Sequence, residues 1–269
     1  MSGALVPAVK RAFIQESGET LMSRKDIIAR RFSNSVLTYD ANAALQETVA
    51  ARLAAFLPGA GEPRVLEIGC GTGLFSRHVL TRYPRGRLLF TDIGLDMVFR
   101  CRENLAAASG RGAETTFATM DGDRPAVAQG FDLVASSMTL QWCDDPRRTL
   151  ENWRRLLNPG GRVVFATIGP GNFPEWRETL ENLGEPVGLL DVPALDGVVR
   201  EESITARYGD ATGFLRALRD TGARQPRPGY RPLSATALRR ALAVFDRRHG
   251  GCVTWRIVYG VLDAPSPRK

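Results

Sequence analysis

The sequence predicts an α/β fold with one mostly parallel sheet of seven strands and helices on both of its faces. Three observations carry this prediction. Between residues 64 and 168, apolar segments of strand length alternate with segments of helical periodicity. A glycine-rich turn joins the first strand to the following helix, and acidic residues stand at the ends of successive strands. Such alternation is typical of parallel sheets, whose crossover connections are helices.

The elements follow in chain order. Apolar residues at helical spacing predict helices over 25–57, which Pro58-Gly59 ends. Runs rich in Val, Leu, Ile, Phe and Thr predict strands at 64–68, 87–91, 115–119, 131–136, 162–167, 199–208 and 253–262. Helices are predicted at 74–82, 95–107, 146–157 and 211–221, and a last one starts at Ser234, an N-cap residue type.

Composition and charge limit the classes of function that this chain can have. The chain has 269 residues, of which 43% are hydrophobic, and a net charge of +7. A basic balance favours acidic partners, but the arginines are scattered, and a solvated basic surface is the plainer alternative. The four cysteines form no C-x-x-C pair and there are two histidines, so we expect no metal. With no secretory signal and no stretch of membrane-spanning length, we expect a cytoplasmic protein without stable membrane association.

The glycine-rich turn carries the most specific signal. An apolar strand ends at Glu67, and glycines follow at Gly69, Gly71 and Gly73. Glycine lets a backbone turn tightly and pass close to a ligand. The dinucleotide-binding pattern needs a further glycine where Leu74 stands. The pattern acid-x-G-x-G-x-G instead resembles the cofactor loop of class I S-adenosylmethionine (SAM) methyltransferases, in which the acid lies near the ammonium of the methionine part.

The acidic residues at the next two strand ends extend this resemblance. Asp92 follows the loop by about 20 residues, a spacing at which a carboxylate can accept both ribose hydroxyls, with Ile93 beside it. Asp121 can accept from the adenine amino group, with Met120 or Gly122 against the ring. Each aspartate alone could instead be a turn or helix-cap residue. Their order along the chain, each at a strand end, favours SAM binding.

The end of the fourth strand is the expected position of the methyl donor. Residues Ser136 to Met138 lie there in the sequence, and we expect Ser136 and Met138 to contact the cofactor. Met138 could instead be a simple core residue.

Further motifs resemble the malonyl-acyl-carrier-protein O-methyltransferases of biotin synthesis, the BioC family, from about residue 25 to residue 262. The features in common are Arg31-Phe32 and Tyr39, residues 66–73, Asp92, Asp121, residues 131–133 with 140–143, Pro159-Gly160-Gly161, residues 215–219 before Gly222-Ala223, and Tyr259-Gly260. The chain departs from relatives in a longer N-terminal arm and in Thr254-Trp255-Arg256. The resemblance implies a Rossmann-like class I methyltransferase fold with an N-terminal helical segment and a small helical lid.

The resemblance also implies one domain over residues 25–262. Its parts are N-terminal helices at 25–57, a cofactor-binding half at 64–168 and a lid or acceptor region at 169–230. Residues 1–24 are expected to form a flexible arm, and residues 263–269 a tail.

The implied reaction methylates the free carboxylate of a malonyl thioester on an acyl carrier protein, an acidic partner. A carboxylate is already ionised at neutral pH and needs no general base. We expect Tyr39 and Trp142 to hold the donor and exclude water, since an aromatic face attracts a sulfonium. Arg216 and Arg219 are candidates to orient the carboxylate. Each of the four could instead be a core residue or a solvated helix residue.

Other functions stay open at this point. The acceptor could be another small carboxylate or a phenol. The chain could also be an assembly factor for a respiratory complex, since such mitochondrial proteins resemble this family. Nucleic-acid methylation is disfavoured, because Ser136-Ser137-Met138 replaces the Asn-Pro-Pro-Tyr type of strand end and no basic stripe is visible.

Overall fold

The computed structural model describes residue 25 and residues 44–59, 61–106, 112–189, 192–220 and 229–265. Within these ranges, seven strands form one sheet in the order β3-β2-β1-β4-β5-β7-β6. Their bounds are β1 Arg64–Ile68, β2 Arg87–Asp92, β3 Glu114–Thr119, β4 Phe131–Ser137, β5 Leu157–Ile168, β6 Val198–Arg207 and β7 Cys252–Asp263. Strands β1 to β5 pair in parallel, whereas β7 is antiparallel to both β5 and β6. The predicted mostly parallel sheet of seven strands is confirmed.

Helices cover both faces of the sheet. They are α1 Ala44–Leu53, α2 Ser76–Arg82, α3 Leu95–Leu105, α4 Pro146–Arg154, α5 Pro174–Asn182, α6 Ala211–Asp220 and α7 Ala235–His249. Side chains alternate along a strand, so Val65 belongs to one hydrophobic cluster and Leu66 to the other. Trp153 of α4 packs in the hydrophobic cluster that contains Leu66, whereas the other helices pack mainly on the cluster that contains Val65.

One predicted boundary was wrong. The sequence predicts a helix over 146–157 closed by Asn158-Pro159-Gly160-Gly161, but α4 ends at Arg154 and β5 already begins at Leu157. The turn residues lie inside the strand, where the register between β4 and β5 shifts. Gly160 has a φ of +81°, and a Cβ on Gly161 would lie 3.0 to 3.1 Å from three backbone oxygens. This Pro-Gly-Gly segment is therefore a bulge and not a helix stop.

The helical layer over the last strands comes from two separate insertions. Helix α5 lies between β5 and β6, whereas α6 and α7 lie between β6 and β7. Phe214 of α6 joins them, because its ring contacts Phe173, Trp176 and Phe245. The predicted lid over 169–230 thus contains a sheet strand and leaves out α7. The predicted N-cap at Ser234 is confirmed, since its hydroxyl accepts from the N–H of Ala237 at 3.1 Å.

The sheet topology positions a crevice. Strand β1 lies between β2 and β4. Strands β2 and β3 are added on one side of β1, and strands β4 and β5 on the other side, so the strand order reverses at β1. The carboxyl ends of β1, β2, β3 and β4 meet at one edge, where open α/β sheets bind ligands. The predicted N-terminal arm and most of the segment before α1 lie outside the described residues.

Candidate active site

A cleft opens at this switch point in the strand order. Its empty volume is about 660 Å³, open solvent at the mouth included, and a smaller cavity of about 310 Å³ adjoins it. Gly69, Gly71, Ser137 and Met138 line both. The remaining residues of the larger cleft are Lys25, Ile68, Asp92, Ile93, Met97, Met120, Asp121, Gly122, Thr139, Trp142 and Cys143. The structure therefore brings most of the predicted cofactor residues to one place.

The three loop glycines are required for different reasons. All three have positive φ values, +75° at Gly69, +53° at Gly71 and +96° at Gly73, which side chains rarely adopt. A Cβ on Gly69 would overlap the side chain of Thr139, and one on Gly73 would lie 3.2 Å from Cys101 Sγ. A Cβ on Gly71 would meet nothing within 4 Å. Gly69 and Gly73 thus serve packing, whereas Gly71 leaves space in the cleft.

Asp92 is tied to the loop that it faces. Its Oδ2 accepts a hydrogen bond from the N–H of Gly71 at 2.9 Å, and its Oδ1 accepts from the N–H of Gly94 at 2.9 Å. Burial raises the pKa of Asp92, and these backbone hydrogen bonds partly oppose the rise. Ile93 follows it and lines the cleft.

Two buried oxygens on the walls of the smaller cavity are without a hydrogen-bond partner among the described residues. They are Oε2 of Glu67, at the end of β1, and Oε1 of Gln46, on α1. The other oxygen of Glu67 accepts from Ser76 Oγ at 3.0 Å. Burial raises the pKa of Glu67 well above its ordinary value. Two unpaired acceptors on one cavity fit a ligand group that donates hydrogen bonds, such as an ammonium.

The far end of the cleft is formed after β3. Lys25 Nζ lies 3.1 Å from Asp121 Oδ1 and also pairs with Asp123. Burial works to raise the pKa of Asp123, but hydrogen bonds from Lys25 and Thr149 outweigh it and the pKa falls below its ordinary value. Asp121 is therefore an ion-pair partner as well as a lining residue, which the sequence analysis missed.

Met120 and Gly122 flank Asp121, and both line the cleft. A Cβ on Gly122 would lie 2.7 Å from Ile68 Cγ2, and its carbonyl accepts from Trp153 Nε1 at 2.7 Å. Gly122 thus also serves close packing.

The end of β4 differs from the expectation. Ser136 is buried, does not line the cleft, and donates its hydroxyl to the carbonyl of Ile68 at 2.8 Å, which joins β4 to β1. Its neighbour Ser137 faces the cleft instead, because successive side chains of a strand point to opposite sides.

Met138 has a φ of +57°, an uncommon conformation for a residue other than glycine. Two hydrogen bonds hold it there: its N–H donates to the carbonyl of Ala166 at 2.8 Å, and its carbonyl accepts from the amide of Gln141 at 2.8 Å. The amide oxygen of Gln141 in turn accepts from Thr167 Oγ1 at 2.7 Å. Backbone strain of this kind often marks functional sites.

The residues expected to shield the donor and to orient the acceptor are only partly described. Trp142 lies at the end of a short 3₁₀ helix, Leu140–Trp142, and lines the cleft. Arg216 is an exposed residue of α6 and does not line the cleft. Tyr39 and the side chain of Arg219 lie outside the described residues.

The sequence analysis missed several residues that line the site, Met97 and Cys143 among them, and three others are instructive. Lys25 and Gln46 come from the N-terminal segment, and Thr139 supports the glycine loop. Lys25 and Gln46 carry no local signal, because their partners are far along the chain. Thr139 stands three residues beyond a predicted strand, and that spacing could have drawn attention to it.

Across the described ranges, no three His, Cys, Asp or Glu residues are grouped so that they could hold a metal ion. In the same ranges, every helix is too short or too polar to span a bilayer.

Comparison with known proteins agrees with this geometry. Residues 66–163 match a family model described as a methyltransferase domain. The malonyl-[acyl-carrier protein] O-methyltransferase of Magnetococcus marinus is 40% identical over 253 residues, which cover 88% of this chain and 92% of the relative. The biotin biosynthesis bifunctional protein BioCD of Bordetella avium is 36% identical over 87% of this chain, which spans 51% of that longer protein.

A solved structure with the same fold is phosphoethanolamine N-methyltransferase 2 of Haemonchus contortus in complex with SAM. It has a TM-score of 0.52 and 17% identity, over 91% of this chain and 61% of that one. The fold and the methyltransferase domain define a Rossmann-like, SAM-dependent methyltransferase. Given the extent of its identity to the Magnetococcus enzyme, the chain belongs to the malonyl-[acyl-carrier protein] O-methyltransferase family.

Proposed function

We propose that the protein methylates the free carboxylate of a malonyl group carried on acyl carrier protein, an early step of biotin synthesis. One observation carries the proposal. The 40% identity to the Magnetococcus enzyme covers 88% of the chain and so extends well beyond the methyltransferase domain at 66–163. It therefore includes much of the N-terminal and lid segments, to which we assign recognition of the acceptor. A cytoplasmic location, where thiols stay reduced, fits the four free cysteines.

The residues of the cleft fit SAM. Glu67 and Gln46 offer unpaired oxygens to the ammonium of its methionine part. Asp92 faces the loop at the position suited to the ribose hydroxyls, where the unused lone pairs of its oxygens can accept. Gly71 leaves the backbone open to close approach.

The adenine end is mostly apolar. Ile93, Met97 and Met120 line it and fit the faces of a ring. Asp121 can accept from the amino group while it remains paired with Lys25. Ser137 replaces Ser136 in this proposal, since Ser136 is buried away from the cleft.

When bound, the cofactor supplies a methyl group on a positively charged sulfur. The protein then has to align an anionic acceptor with that methyl and exclude water, since an ionised carboxylate needs no proton acceptor. Met138, whose carbonyl accepts from Gln141, and Trp142 both line the cleft, and we assign them to the side from which the acceptor approaches. We assign Trp142 and Tyr39 to shielding the donor, and Arg216 and Arg219 to orienting the acceptor carboxylate.

The test is methyl transfer from SAM to malonyl-acyl carrier protein, followed by mass spectrometry of the carrier. Malonyl-coenzyme A and acetyl-acyl carrier protein are the control substrates. The first lacks the carrier protein, and the second lacks the free carboxylate. We expect a mass gain of one methyl ester on the malonyl carrier and none on the acetyl carrier. No gain, with SAM binding shown by calorimetry, would overturn the acceptor and favour another small acid or an assembly role.

A further inference from the structure

Helix α7 carries an uncompensated basic face. Its buried side consists of Leu238, Ala241 and Phe245, which pack towards α5 and α6. Its exposed residues include Thr236, Arg239, Arg240, Ala243 and Arg247. We call these five residues the α7 face. The helix has one acidic residue, Asp246, and its carboxylate accepts from the N–H of Ala211 at 2.6 Å.

Helix electrostatics account for only part of this charge. Arg247 and Arg248 lie in the last turn, where cations favour the helix dipole, and Arg248 pairs with Glu178 at 3.4 Å. Arg239 and Arg240 lie in the second turn, beyond the reach of that effect. Residues three and four positions away from them are Ala, Thr, Leu and Val, so no helical ion pair compensates them. In the part of the chain that the structure describes, neither has an ion-pair partner.

The shape of the face suits another helix. Thr236 and Ala243 are exposed small residues on either side of the adjacent pair Arg239-Arg240. Small side chains allow a second helix to approach closely, and the flanking guanidinium groups can bind carboxylates through a planar fork.

The insertion that carries α7 begins and ends at the edge of the sheet where the cleft lies. Helices α6 and α7 form the insertion between β6 and β7, which closes where the N–H of Tyr208 donates to the carbonyl of Gly251 at 2.9 Å. This closure lies at the carboxyl end of β6, on the same edge of the sheet as the carboxyl ends of β1 to β4.

We propose that the α7 face is the docking surface for an acidic helix of the acyl carrier protein that delivers the acceptor. This inference rests on the proposed function, because that function supplies an acidic carrier as the partner. The arginines of the α7 face attract the acidic carrier and hold it while the thioester-bearing arm of the carrier reaches the cleft.

The test compares two double charge reversals. Arg239→Glu/Arg240→Glu alters the α7 face. Arg147→Glu/Arg148→Glu is the matched control, since these adjacent arginines are exposed at the start of α4, which covers the opposite face of the sheet. Both variants change the net charge equally, so a general loss of attraction would affect them alike. Arg239→Gln/Arg240→Gln serves as a milder variant if the first melts at a lower temperature.

We expect the α7 variant to raise the KM for malonyl-acyl carrier protein and the Kd for the carrier protein about tenfold, most strongly at low salt. Its kcat, its SAM affinity and its turnover of malonyl-pantetheine, which lacks the carrier, should match the wild type. The α4 variant should stay within about twofold of the wild type. Equal increases of KM and Kd in both variants, or no increase in the α7 variant, would overturn the proposed docking surface.

The two proposals can fail separately. A wild-type protein that transfers no methyl to malonyl-acyl carrier protein would overturn the proposed function. The Kd titration with carrier protein would still decide the docking surface. Normal methyl transfer with no effect of the α7 variant on either constant would leave the function standing and remove the surface.

Discussion

The N–H of Gly71 donates to Asp92 Oδ2 at 2.9 Å, and this hydrogen bond ties the glycine loop after β1 to the end of β2. The same carboxylate also holds the N–H of Gly94. Asp92 therefore shapes the glycine loop that lines the cleft. In the proposed binding mode, the position of this loop and the binding of SAM at Asp92 are coupled.

Replacing Asp92 by alanine should lower both stability and SAM affinity. It leaves two backbone N–H groups without their acceptor and removes the proposed ribose partner. We expect SAM binding to weaken by about 1–3 kcal/mol and the free energy of unfolding to fall by a similar amount. Calorimetry and denaturant melts measure the two effects. Asp96→Ala, an exposed change in the first turn of α3, is the control. Unchanged affinity with lowered stability would leave Asp92 a purely structural residue.

Gly71→Arg should abolish SAM binding without unfolding the protein. A side chain at Gly71 meets nothing within 4 Å and enters the space shared by both cavities. The control is Gly184→Arg, because Gly184 has a similar φ of +67°, equally open surroundings and no place in the cleft. Both variants should lose about 1 kcal/mol of stability from backbone strain. Micromolar SAM affinity in Gly71→Arg would refute the cofactor assignment.

Glu67→Gln should stabilise the ligand-free protein at high pH and weaken its binding of SAM. Burial raises the pKa of Glu67 well above 4.5, its ordinary value. The folded state therefore holds this proton more tightly than the unfolded state. Stability from this group is fully present below pH 4.5 and is lost as the pH rises through the folded pKa.

The glutamine side chain of this variant has no proton to lose, but it still offers an oxygen to Ser76. The variant's advantage in melting temperature should therefore be near zero at about pH 4.5 and should increase towards about pH 8. Thermal melts across this range test it, with SAM titrations in parallel. A difference that does not change with pH would show that Glu67 does not titrate as the fold implies.

Local patterns predicted much of this molecule. The strand ends, the glycine loop and the N-cap at Ser234 each lie within a few consecutive residues, so the sequence contains their signal. The Lys25 pairs with Asp121 and Asp123 join residues about 96 positions apart. The contribution of Gln46 to the smaller cavity depends on how α1 packs against the sheet. No local periodicity contains these relationships.

The position of Ser136 away from the cleft was not predictable for a different reason. A one-residue shift exchanges the two faces of a strand, so predicting where β4 ends was insufficient to predict which serine faces the cleft. The bulge in β5 was also missed because it depends on how two strands pair. Pro159-Gly160-Gly161 is typical of a turn, and only the pairing of Leu157 with Phe131 shows that the strand starts before it.

The hydrogen bonds of Gln141 yield a prediction about catalysis. Gln141→Met keeps the approximate volume of the side chain but leaves the carbonyl of Met138 and the hydroxyl of Thr167 without their partner. Thr167 is fully buried, so the loss should cost about 1–3 kcal/mol of stability. Met138, which has a φ of +57°, then keeps only the hydrogen bond from its N–H to the carbonyl of Ala166. We expect kcat to fall more than SAM affinity, because we propose that the acceptor approaches past this strained residue, which lines the cleft.

A double-mutant cycle separates this hydrogen bond from general damage to the core. Thr167→Val alone leaves Gln141 Oε1 unpaired, whereas the double variant Gln141→Met/Thr167→Val removes both partners of the bond. Its loss of stability should therefore be smaller than the sum of the two single losses, by about 1 kcal/mol. Its kcat should stay low, since the carbonyl of Met138 is still unsupported. Recovery of kcat together with stability would show that Gln141 acts only by supporting the fold.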